Sequence, residues 1–456
     1  MTSSRPRLAV LGLDGLSLDM ARRLAATGAC PNLARLALAP EAATIEAELP
    51  ELSPVNWTSL ATAASPGRHG VFGFTRIGSG DYNLSLTDAT AIGCPTIFER
   101  FTQAGLTSKV INLPGTFPVR PLKGLMVAGF VAQDFERAVY PPYLRGVLTR
   151  ENYKLEADTA RGAADLTYLL AELRATLASR RRALELFYAD LAWDVFVLVL
   201  TETDRLQHFF YPALASPAHV QHGPILDFMR DWDLAIGDFL SRFDGMPGPK
   251  RLIVLADHGF TELKIEVDLN AWLREAGYLT YARPPENEWD SASLGHPTAA
   301  FALDPGRIYM HTKERFARGI FHEHIGRERA GQLRQALMGL RYEGEPVMEA
   351  VYFPEEIYEG PLTHRAADLI CLGRPGYSLT GKFGRETVFG RYGRSGCHTA
   401  HGAIYYDTAG ARPKGPAEVG GETLKYFGLG REDEESAAAL AFSKTEAGGG
   451  SPLGRK

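Results

Sequence analysis

Short, continuous apolar runs recur along the chain, and each of them ends in a polar turn. The clearest runs are RLAVLGLDG at 7–15, SKVINLPG at 108–115, DVFVLVL at 194–200 and KRLIVLADHGF at 250–260. Runs of this length without alternating polar residues are typical of strands buried on both faces. Segments with helical spacing, such as LDMARRLAATG at 18–28, lie between them and stop at a glycine. The pattern predicts an α/β fold with a mostly parallel central sheet and helices on both faces.

The length of the chain and breaks in this rhythm predict its domain organisation. Its 456 residues exceed one ordinary domain of about 100–200 residues. We expect an α/β core over 1–270, with a helical excursion at about 135–190, and an inserted cap subdomain over 271–360. The run AADLICLG predicts a strand near residue 366 that returns the chain to the core over 361–440. The Gly-rich end predicts a disordered tail over 441–456.

Composition narrows the class of protein. The chain is 45% hydrophobic and 23% charged, with a net charge of −5, so no nucleic-acid-binding surface is evident. Its four cysteines form no CxxC pair, which argues against a disulfide framework or a zinc knuckle. No run of about 18 apolar residues is present, so we expect no membrane segment and a cytoplasmic protein. The RRR at 180–182 is expected to form a solvated helix face.

Acidic residues follow three of the predicted strands at their carboxyl ends. Asp14 follows the first run, Asp204 follows the run at 194–200, and Asp257–His258 follow the run at 250–255. Aspartate is common in turns, so each alone is weak evidence. Ligands of parallel α/β sheets bind outside the carboxyl ends of the strands, however, and two of these ends also carry a histidine. We therefore expect these side chains to gather on one edge of the sheet.

The residue types in this set indicate a metal centre. Asp204 and His208 are four residues apart, a spacing that lets one helical turn present both to one ion. A further histidine source is the Gly-rich segment GRSGCHTAHG at 393–402, which contains His398 and His401. Carboxylates and imidazoles without cysteine suit zinc or manganese.

A hydrolytic two-metal centre also needs a nucleophile, and the segment SPVNWTSLATAA at 53–64 offers hydroxyl groups. Ser53 precedes a proline and a helix start, where the helix dipole favours an alkoxide and an incoming phosphate. A serine at this place can equally be a helix N-cap. Asn56 is a candidate for phosphate binding or for helix capping.

Five ordered pieces of this sequence resemble the alkaline phosphatase superfamily, and within it the type I phosphodiesterase/nucleotide pyrophosphatase family. The pieces are LGLDG (11–15), SPVNWTSLATAASPGRHGVFGF (53–74), TETDRLQH (201–208), LADHGF (255–260) and GCHTAHG (396–402). They span nearly the whole chain. The resemblance implies an alkaline-phosphatase-like fold and two divalent metal ions, with zinc the first choice and manganese the alternative.

The resemblance also implies the distribution of ligands. One ion would be held by Asp14, Asp257, His258 and the Ser53 oxygen. The other would be held by Asp204, His208 and a late histidine. His398 is preferred because relatives place this ligand four residues before a Gly-Ile-type strand, and His401 is the rival.

The chain departs from the family pattern at the nucleophile and at the phosphate contact. Nucleotide pyrophosphatases of the family commonly attack with threonine, whereas the aligned position here is Ser53, so Thr58 stays a weak rival. Those relatives also carry an asparagine soon after the HG that helps to hold a phosphate oxygen. HGVFGF at 69–74 has none, and Asn56 is the candidate substitute. His69 itself is expected to close the loop rather than to bind metal.

These residues predict a metal-dependent hydrolase of phosphodiester or pyrophosphate bonds that acts through Ser53 and a covalent phospho-enzyme intermediate. The expected substrate is a small phosphoester or a nucleotide-like molecule. A phosphomonoesterase or phosphotransferase of the same superfamily is the alternative, followed by a catalytically silent metal-binding scaffold. A Rossmann dinucleotide-binding protein is disfavoured because the first strand lacks a GxGxxG turn.

Overall fold

The apolar runs form the strands of the protein in a computed structural model, which describes residues 5–162, 164–190 and 192–430. The predicted tail at 441–456 lies outside the described residues. In chain order the strands are β1 Arg7–Leu13, β2 Ala43–Ile45, β3 Thr75–Ile77, β4 Leu84–Leu86, β5 Ser108–Leu113, β6 Gly124–Ala128, β7 Val139–Tyr140, β8 Val195–Leu200, β9 Lys250–Leu255, β10 Gly259–Glu262, β11 Ile265–Asp268, β12 Ala300–Leu303, β13 Arg307–Met310, β14 Arg341–Tyr342, β15 Glu345–Pro346, β16 Met348–Tyr352, β17 Leu369–Gly373, β18 Tyr377–Thr380, β19 Phe389–Gly390, β20 Gly396–Thr399 and β21 Ala403–Asp407.

Helices connect most of these strands, and three short 3₁₀ turns lie at Ala89–Ala91, Ser291–Ser293 and Thr363–Arg365. The helices are α1 Leu18–Ala26, α2 Pro31–Ala37, α3 Ser53–Thr62, α4 Pro66–His69, α5 Ile97–Gln103, α6 Leu144–Arg150, α7 Thr159–Gly162, α8 Leu166–Tyr188, α9 Glu202–Ala215, α10 His222–Asp244, α11 Leu269–Glu275, α12 Glu323–Met338, α13 Pro354–Ile357 and α14 Pro416–Tyr426. No helix in these described ranges is long and apolar enough to cross a membrane.

The main sheet has eight strands in the order β2-β21-β9-β1-β8-β5-β6-β7. The five central strands β9, β1, β8, β5 and β6 are mutually parallel. β21 pairs antiparallel with β9 and β7 pairs antiparallel with β6, while the edge strand β2 pairs antiparallel with β21. Nearly every residue of β1, β5 and β8 is buried, so both faces of the sheet are covered. The predicted fold class, a mostly parallel sheet with helices on both faces, is confirmed.

A second lobe has its own hydrophobic core, built from residues 265–389 together with Phe72 and Tyr82. Its sheets are β12-β13-β17-β16 and β18-β11-β19. The strand predicted near residue 366 forms as β17, but it pairs with β13 and β16 of this lobe. The prediction that it rejoins the main sheet is wrong, because an apolar run shows that a strand is buried but not which sheet it joins. The chain returns to the main sheet only at β21.

The arginine triplet on α8 is only partly solvated. Arg181 and Arg182 form half-exposed ion pairs with acidic residues, as a solvated face predicts. Arg180 is fully buried and donates hydrogen bonds to the backbone carbonyls of Lys154 and Leu155. The helix turns this one arginine toward the segment that precedes it, which the charge run did not reveal.

Candidate metal centre

Three adjacent strands of the main sheet carry the predicted ligands at one edge. β1 pairs with β9 on one side and with β8 on the other, all in parallel. Asp14 therefore lies beside the end of β9, where Asp257 and His258 follow, and beside the end of β8, where α9 begins. The expected gathering of these residues on one sheet edge is confirmed.

Helix α9 presents Asp204 and His208 one turn apart, as their spacing predicts. Two hydrogen bonds tie this helix to the end of β1: the Thr203 hydroxyl donates to the Asp14 carbonyl at 2.7 Å, and the Gln207 amide donates to the Gly15 carbonyl at 2.9 Å. Gly15 has a φ of +68°, and a Cβ there would lie 3.1 Å from the Cβ of Asp204. Glycine at this position lets the helix approach the strand closely.

Ser53 is the first residue of α3 and is buried. The N-cap position belongs to Leu52, and the Ser53 hydroxyl makes no capping hydrogen bond, so the N-cap interpretation of Ser53 is wrong. Its Oγ instead lies 3.4 Å from Oδ1 of Asp14 and 3.3 Å from Nε2 of His258. The hydroxyl thus faces the sheet edge from the N-terminus of a helix.

The two late histidines separate clearly in space. β20 pairs with β10 so that His398 lies opposite Phe260, and its Nε2 is 3.1 Å from both Asp204 Oδ1 and His208 Nε2. His401 is half-exposed and binds two surface carboxylates, those of Glu46 and Glu349. The structure therefore brings His398, and not His401, to the other predicted ligands.

Each of the three aspartates has one oxygen held by a protein donor and the other oxygen turned toward the cluster. The donors are the Trp57 indole N–H to Asp14 Oδ2 at 3.1 Å, the Gly15 backbone N–H to Asp257 Oδ1 at 3.1 Å, and the Arg205 guanidinium to Asp204 Oδ2 at 2.5 Å. Such outer contacts fix the orientation of a ligand. The other oxygens, one of which accepts the Ser53 hydroxyl, face the cluster and are positioned to bind cations.

The histidines present lone pairs to these oxygens. Nδ1 of His398 donates to the Glu51 carbonyl at 2.8 Å, and Nδ1 of His258 donates to the Gly259 carbonyl at 3.1 Å. In a neutral ring each Nε2 therefore carries a lone pair. Burial, followed by the charge of His258, lowers the pKa of His398 to about 3, so this ring is neutral near pH 7. Lone pairs of nitrogen and carboxylate oxygen that meet at about 3 Å fit a shared cation.

The charges of the cluster point to the same conclusion. Burial and the neighbouring Asp257 charge raise the pKa of Asp14, and burial and the Asp204 charge raise the pKa of Asp257 to about 7. Oδ2 of Asp257 and Nδ1 of His208 are buried without a hydrogen-bond partner. Buried carboxylates are costly unless they are paired or coordinate a metal. The set therefore fits divalent cations.

Two groups of residues are close enough for one ion each, with ligand atoms all within 4.8 Å. One group is Asp14, Asp257 and His258, and the other is Asp204, His258 and His398. His258 belongs to both groups because its Nε2 lies between Asp257 Oδ2 at 3.3 Å and Asp204 Oδ1 at 4.0 Å. The assignment of individual ligands to two ions remains a prediction.

A model of one protein family matches residues 8–404 of the sequence, a span that includes every residue of this cluster. The chain belongs to the type I phosphodiesterase/nucleotide pyrophosphatase family. It is therefore a phosphoric ester hydrolase of the phosphodiesterase/nucleotide pyrophosphatase type, from a superfamily that depends on divalent metals. No curated protein sequence matches it at a significant level.

Solved structures of the alkaline phosphatase superfamily share the fold. Phosphonoacetate hydrolase from Sinorhizobium meliloti, in complex with phosphonoacetate, has a TM-score of 0.60 at 17% identity, covering 88% of this chain and 89% of that one. Murine ectonucleotide pyrophosphatase/phosphodiesterase 5, an inactive variant in complex with AMP, has a TM-score of 0.54 at 13% identity, covering 93% and 96%. Alkaline phosphatase PafA has a TM-score of 0.52 at 14% identity, covering 89% and 91%.

Asn56 does not face this family site. It is fully buried, and its carbonyl oxygen accepts the Glu48 backbone N–H at 2.7 Å. Its amide nitrogen donates to the carbonyls of Glu48 and Leu52, both at 3.1 Å. The side chain thus holds the loop before α3, and binding a phosphate oxygen would break these bonds. The structure contradicts Asn56 as a substrate residue.

Sequence reasoning missed the donors that orient the aspartates. Trp57 lies in α3 between Asn56 and Thr58, and nothing in this segment indicated that its indole reaches Asp14. Arg205 directly follows a predicted ligand and is 12% exposed. A basic residue so close to the end of a buried strand was the one available signal.

We expect His398→Ala to lower phosphoester turnover by more than about 100-fold, since losing even an outer partner of a metal site costs 10–100-fold. His401→Ala is the matched control: its partners are on the surface, where ion pairs contribute about 0–1 kcal/mol, so turnover stays within about fivefold. Steady-state assays of both variants check this. If His401→Ala lost more turnover than His398→Ala, His401 would be the metal ligand.

His69 closes the loop after α4, as expected. It is fully buried, its Nδ1 accepts the Val71 backbone N–H at 3.1 Å, and its Nε2–H donates to the Ser59 hydroxyl at 3.0 Å. Burial lowers the pKa of His69 from 6.5 to about 3. The folded ring stays neutral over a range in which the unfolded ring takes up a proton.

This difference predicts an acid-sensitive contribution to stability. The stabilisation from neutral His69 is complete above pH 6.5 and is lost by about 1.4 kcal/mol per pH unit as the pH falls toward 3. The free energy of unfolding should therefore fall more steeply between pH 6 and pH 4 in the wild type than in the His69→Asn variant. Both proteins are first stripped of metal with a chelator. Urea denaturation at several pH values measures both slopes. Equal slopes would contradict a buried neutral His69.

Proposed function

We propose that this protein hydrolyses phosphodiester or pyrophosphate bonds, with Ser53 as the nucleophile and two divalent ions as cofactors, zinc first and manganese as the alternative. The position of the Ser53 hydroxyl supports this most directly. It lies at the N-terminus of α3, within 3.4 Å of two candidate metal ligands, Asp14 and His258. A buried serine that caps nothing and faces a metal-ligand cluster has the placement of a nucleophile.

Several groups around Ser53 would activate its hydroxyl for attack. The Ser53 hydroxyl now donates to Oδ1 of Asp14, so it must lose its proton before it attacks phosphorus. Divalent ions, when bound, would lower the pKa of this hydroxyl and neutralise the charge that develops on the phosphoryl oxygens. The N-terminus of α3 also directs the positive end of its helix dipole toward the same place.

Two displacements complete the proposed reaction. In the first, a bond forms between Ser53 Oγ and phosphorus while the bond from phosphorus to the leaving oxygen breaks. In the second, water attacks the phospho-serine, and Ser53 Oγ leaves and recovers a proton. The products are the alcohol or phosphate of the leaving group and the remaining phosphate ester. The proposed substrate is a small phosphoester or a nucleotide-like molecule.

A phosphomonoesterase is the second candidate, and one observation favours it. The segment HGVFGF has no asparagine to hold a phosphate oxygen, and Asn56 is committed to the backbone. The amide contact of nucleotide pyrophosphatases is thus replaced by Phe74, whose ring packs against Phe130 with centroids 5.6 Å apart.

One assay distinguishes these candidates. The protein is stripped of metal with a chelator and then supplied with zinc or manganese. Its turnover of bis-p-nitrophenyl phosphate is compared with its turnover of p-nitrophenyl phosphate. Faster turnover of the diester supports the proposed function, and faster turnover of the monoester supports the second candidate. Tight metal binding without turnover of either compound would indicate a catalytically silent scaffold instead.

A further inference from the structure

Arg205 joins a candidate metal ligand, Asp204, to the partly buried carboxylate of Glu156. Its Nη1 donates to Oδ2 of Asp204 at 2.5 Å. Its Nε and Nη2 donate to the two oxygens of Glu156 at 3.3 and 3.2 Å, which forms a bidentate pair. The guanidinium is 12% exposed and the Asp204 side chain 1% exposed. Charge-assisted bonds of this kind are among the strongest in proteins when water is excluded.

Two phenylalanine rings, Phe130 and Phe74, support the same guanidinium. The centroid of the Phe130 ring lies 4.3 Å from the central carbon of the guanidinium, a cation–π contact. Phe74 packs edge-on against Phe130, with ring centroids 5.6 Å apart. Phe74 is part of the segment in which relatives carry a phosphate-binding asparagine, so this chain uses that segment to support Arg205.

A second arginine fixes the position of Glu156. Arg180 of α8 is fully buried and donates to the carbonyls of Lys154 and Leu155 at 2.5 Å each. The backbone immediately before Glu156 is therefore attached to α8. Arg180 is thus linked through the backbone of this segment to Glu156, and hydrogen bonds continue from Glu156 to Arg205 and Asp204.

We propose that Arg205 is a positioning residue for the metal centre, an inference that rests on the proposed function. It occupies Oδ2 of Asp204, so that only Oδ1 faces His398 at 3.1 Å and His208 at 3.4 Å. Asp204 is thereby limited to one ligand oxygen in a fixed direction. Its positive charge also lies close enough to act on Asp14, which moderates the repulsion among the buried carboxylates.

The guanidinium itself is suited to this role. Its planar fork reaches two carboxylates at once, whereas a lysine ammonium is a point charge that cannot hold both in the same geometry. Among the described residues, Asp204 is the only candidate ligand to which Arg205 donates a hydrogen bond. Removal of Arg205 should therefore weaken metal binding before it changes substrate affinity.

The test measures the metal affinity of protein that has been stripped of metal. The protein is titrated with Zn²⁺ or Mn²⁺ alone, and binding is followed by calorimetry or by competition with a chromogenic chelator. We expect Arg205→Met to lower the affinity for one ion by about 10- to 100-fold, the usual cost of losing an outer partner of a ligand. Arg205→Lys should recover part of this loss. In the active enzyme, Arg205→Met should lower kcat far more than it changes KM.

Arg394→Met is the matched control. Arg394 is an exposed arginine whose charge acts on His208, but no hydrogen bond joins it to Asp204. Its removal makes the same change in net charge near the centre without disturbing a ligand. We expect its metal affinity to stay within about twofold of the wild type, since surface charges contribute little.

Glu156→Gln keeps the test decisive if Arg205→Met does not fold. This variant leaves Arg205 in place and weakens its anchor, so a smaller loss of metal affinity is expected. The inference would be overturned if Arg205→Met and Glu156→Gln, where they fold, bind metal with the affinity of the wild type. It would also be overturned if Arg205→Lys restored the metal affinity completely. Weaker metal binding in a protein whose wild type cleaves no phosphoester would support Arg205 and reject the proposed function.

Discussion

Replacement of Ser53 by alanine should abolish diester turnover, with a fall in kcat of at least about 10³-fold, because the loss of a nucleophile removes the covalent route. Ser53 is buried at the start of α3, and its Oγ faces Asp14 and His258. Alanine removes one oxygen and leaves the helix start unchanged. Steady-state assays with bis-p-nitrophenyl phosphate measure the loss.

Thr58→Val is the matched control for this variant. Thr58 is buried further along α3 and is the weak rival nucleophile. Valine keeps its shape and removes its hydroxyl, so turnover should persist. Acid quench of the wild type during turnover should also yield a peptide phosphorylated on Ser53. A phosphate on Thr58, or full activity of Ser53→Ala, would contradict the proposed nucleophile.

Asp204→Asn should lower the metal content by about one ion per chain. Oδ1 of Asp204 is the atom that His398 and His208 share, at 3.1 and 3.4 Å. Asparagine has nearly the same shape but offers a neutral oxygen, which binds a divalent cation far more weakly than a carboxylate does. Metal analysis of protein loaded with zinc and then desalted measures the loss, and turnover should fall with it.

Asp233→Asn separates this effect from the loss of any buried carboxylate. Asp233 is 2% exposed and accepts the backbone N–H groups of Asn32 and Leu33 at the start of α2, away from the metal ligands. Its replacement should lower stability and leave the metal content unchanged. Full metal occupancy in Asp204→Asn would show that Asp204 is not a ligand.

Much of the fold was predictable because a continuous apolar run in the sequence indicates a strand that is buried on both faces. Runs such as those of β1 and β8 contain almost no polar residue, and only strands covered on both faces tolerate that composition. Parallel strands place their carboxyl ends at one edge, so three sequence positions predicted one cluster. The Asp204–His208 pair followed in the same way from helical spacing.

Contacts between distant segments were not predictable in this way. Both His398 and His401 lie in one short Gly-rich segment, and the pairing of β20 with β10 alone turns His398 toward Asp204. The same limit applies to β17, whose composition suits either lobe. An apolar pattern records burial, while the identity of the partner strand depends on topology.

The sequence by itself determined the fold class, the edge of the sheet that carries the site, and the types of ligand that gather there. Only the tertiary structure decided which late histidine completes the cluster, that Asn56 holds backbone rather than substrate, and that Arg205 orients Asp204. The physical reason is that periodicity reports a side chain's own environment, whereas each of these choices depends on a hydrogen-bond partner far away in the chain.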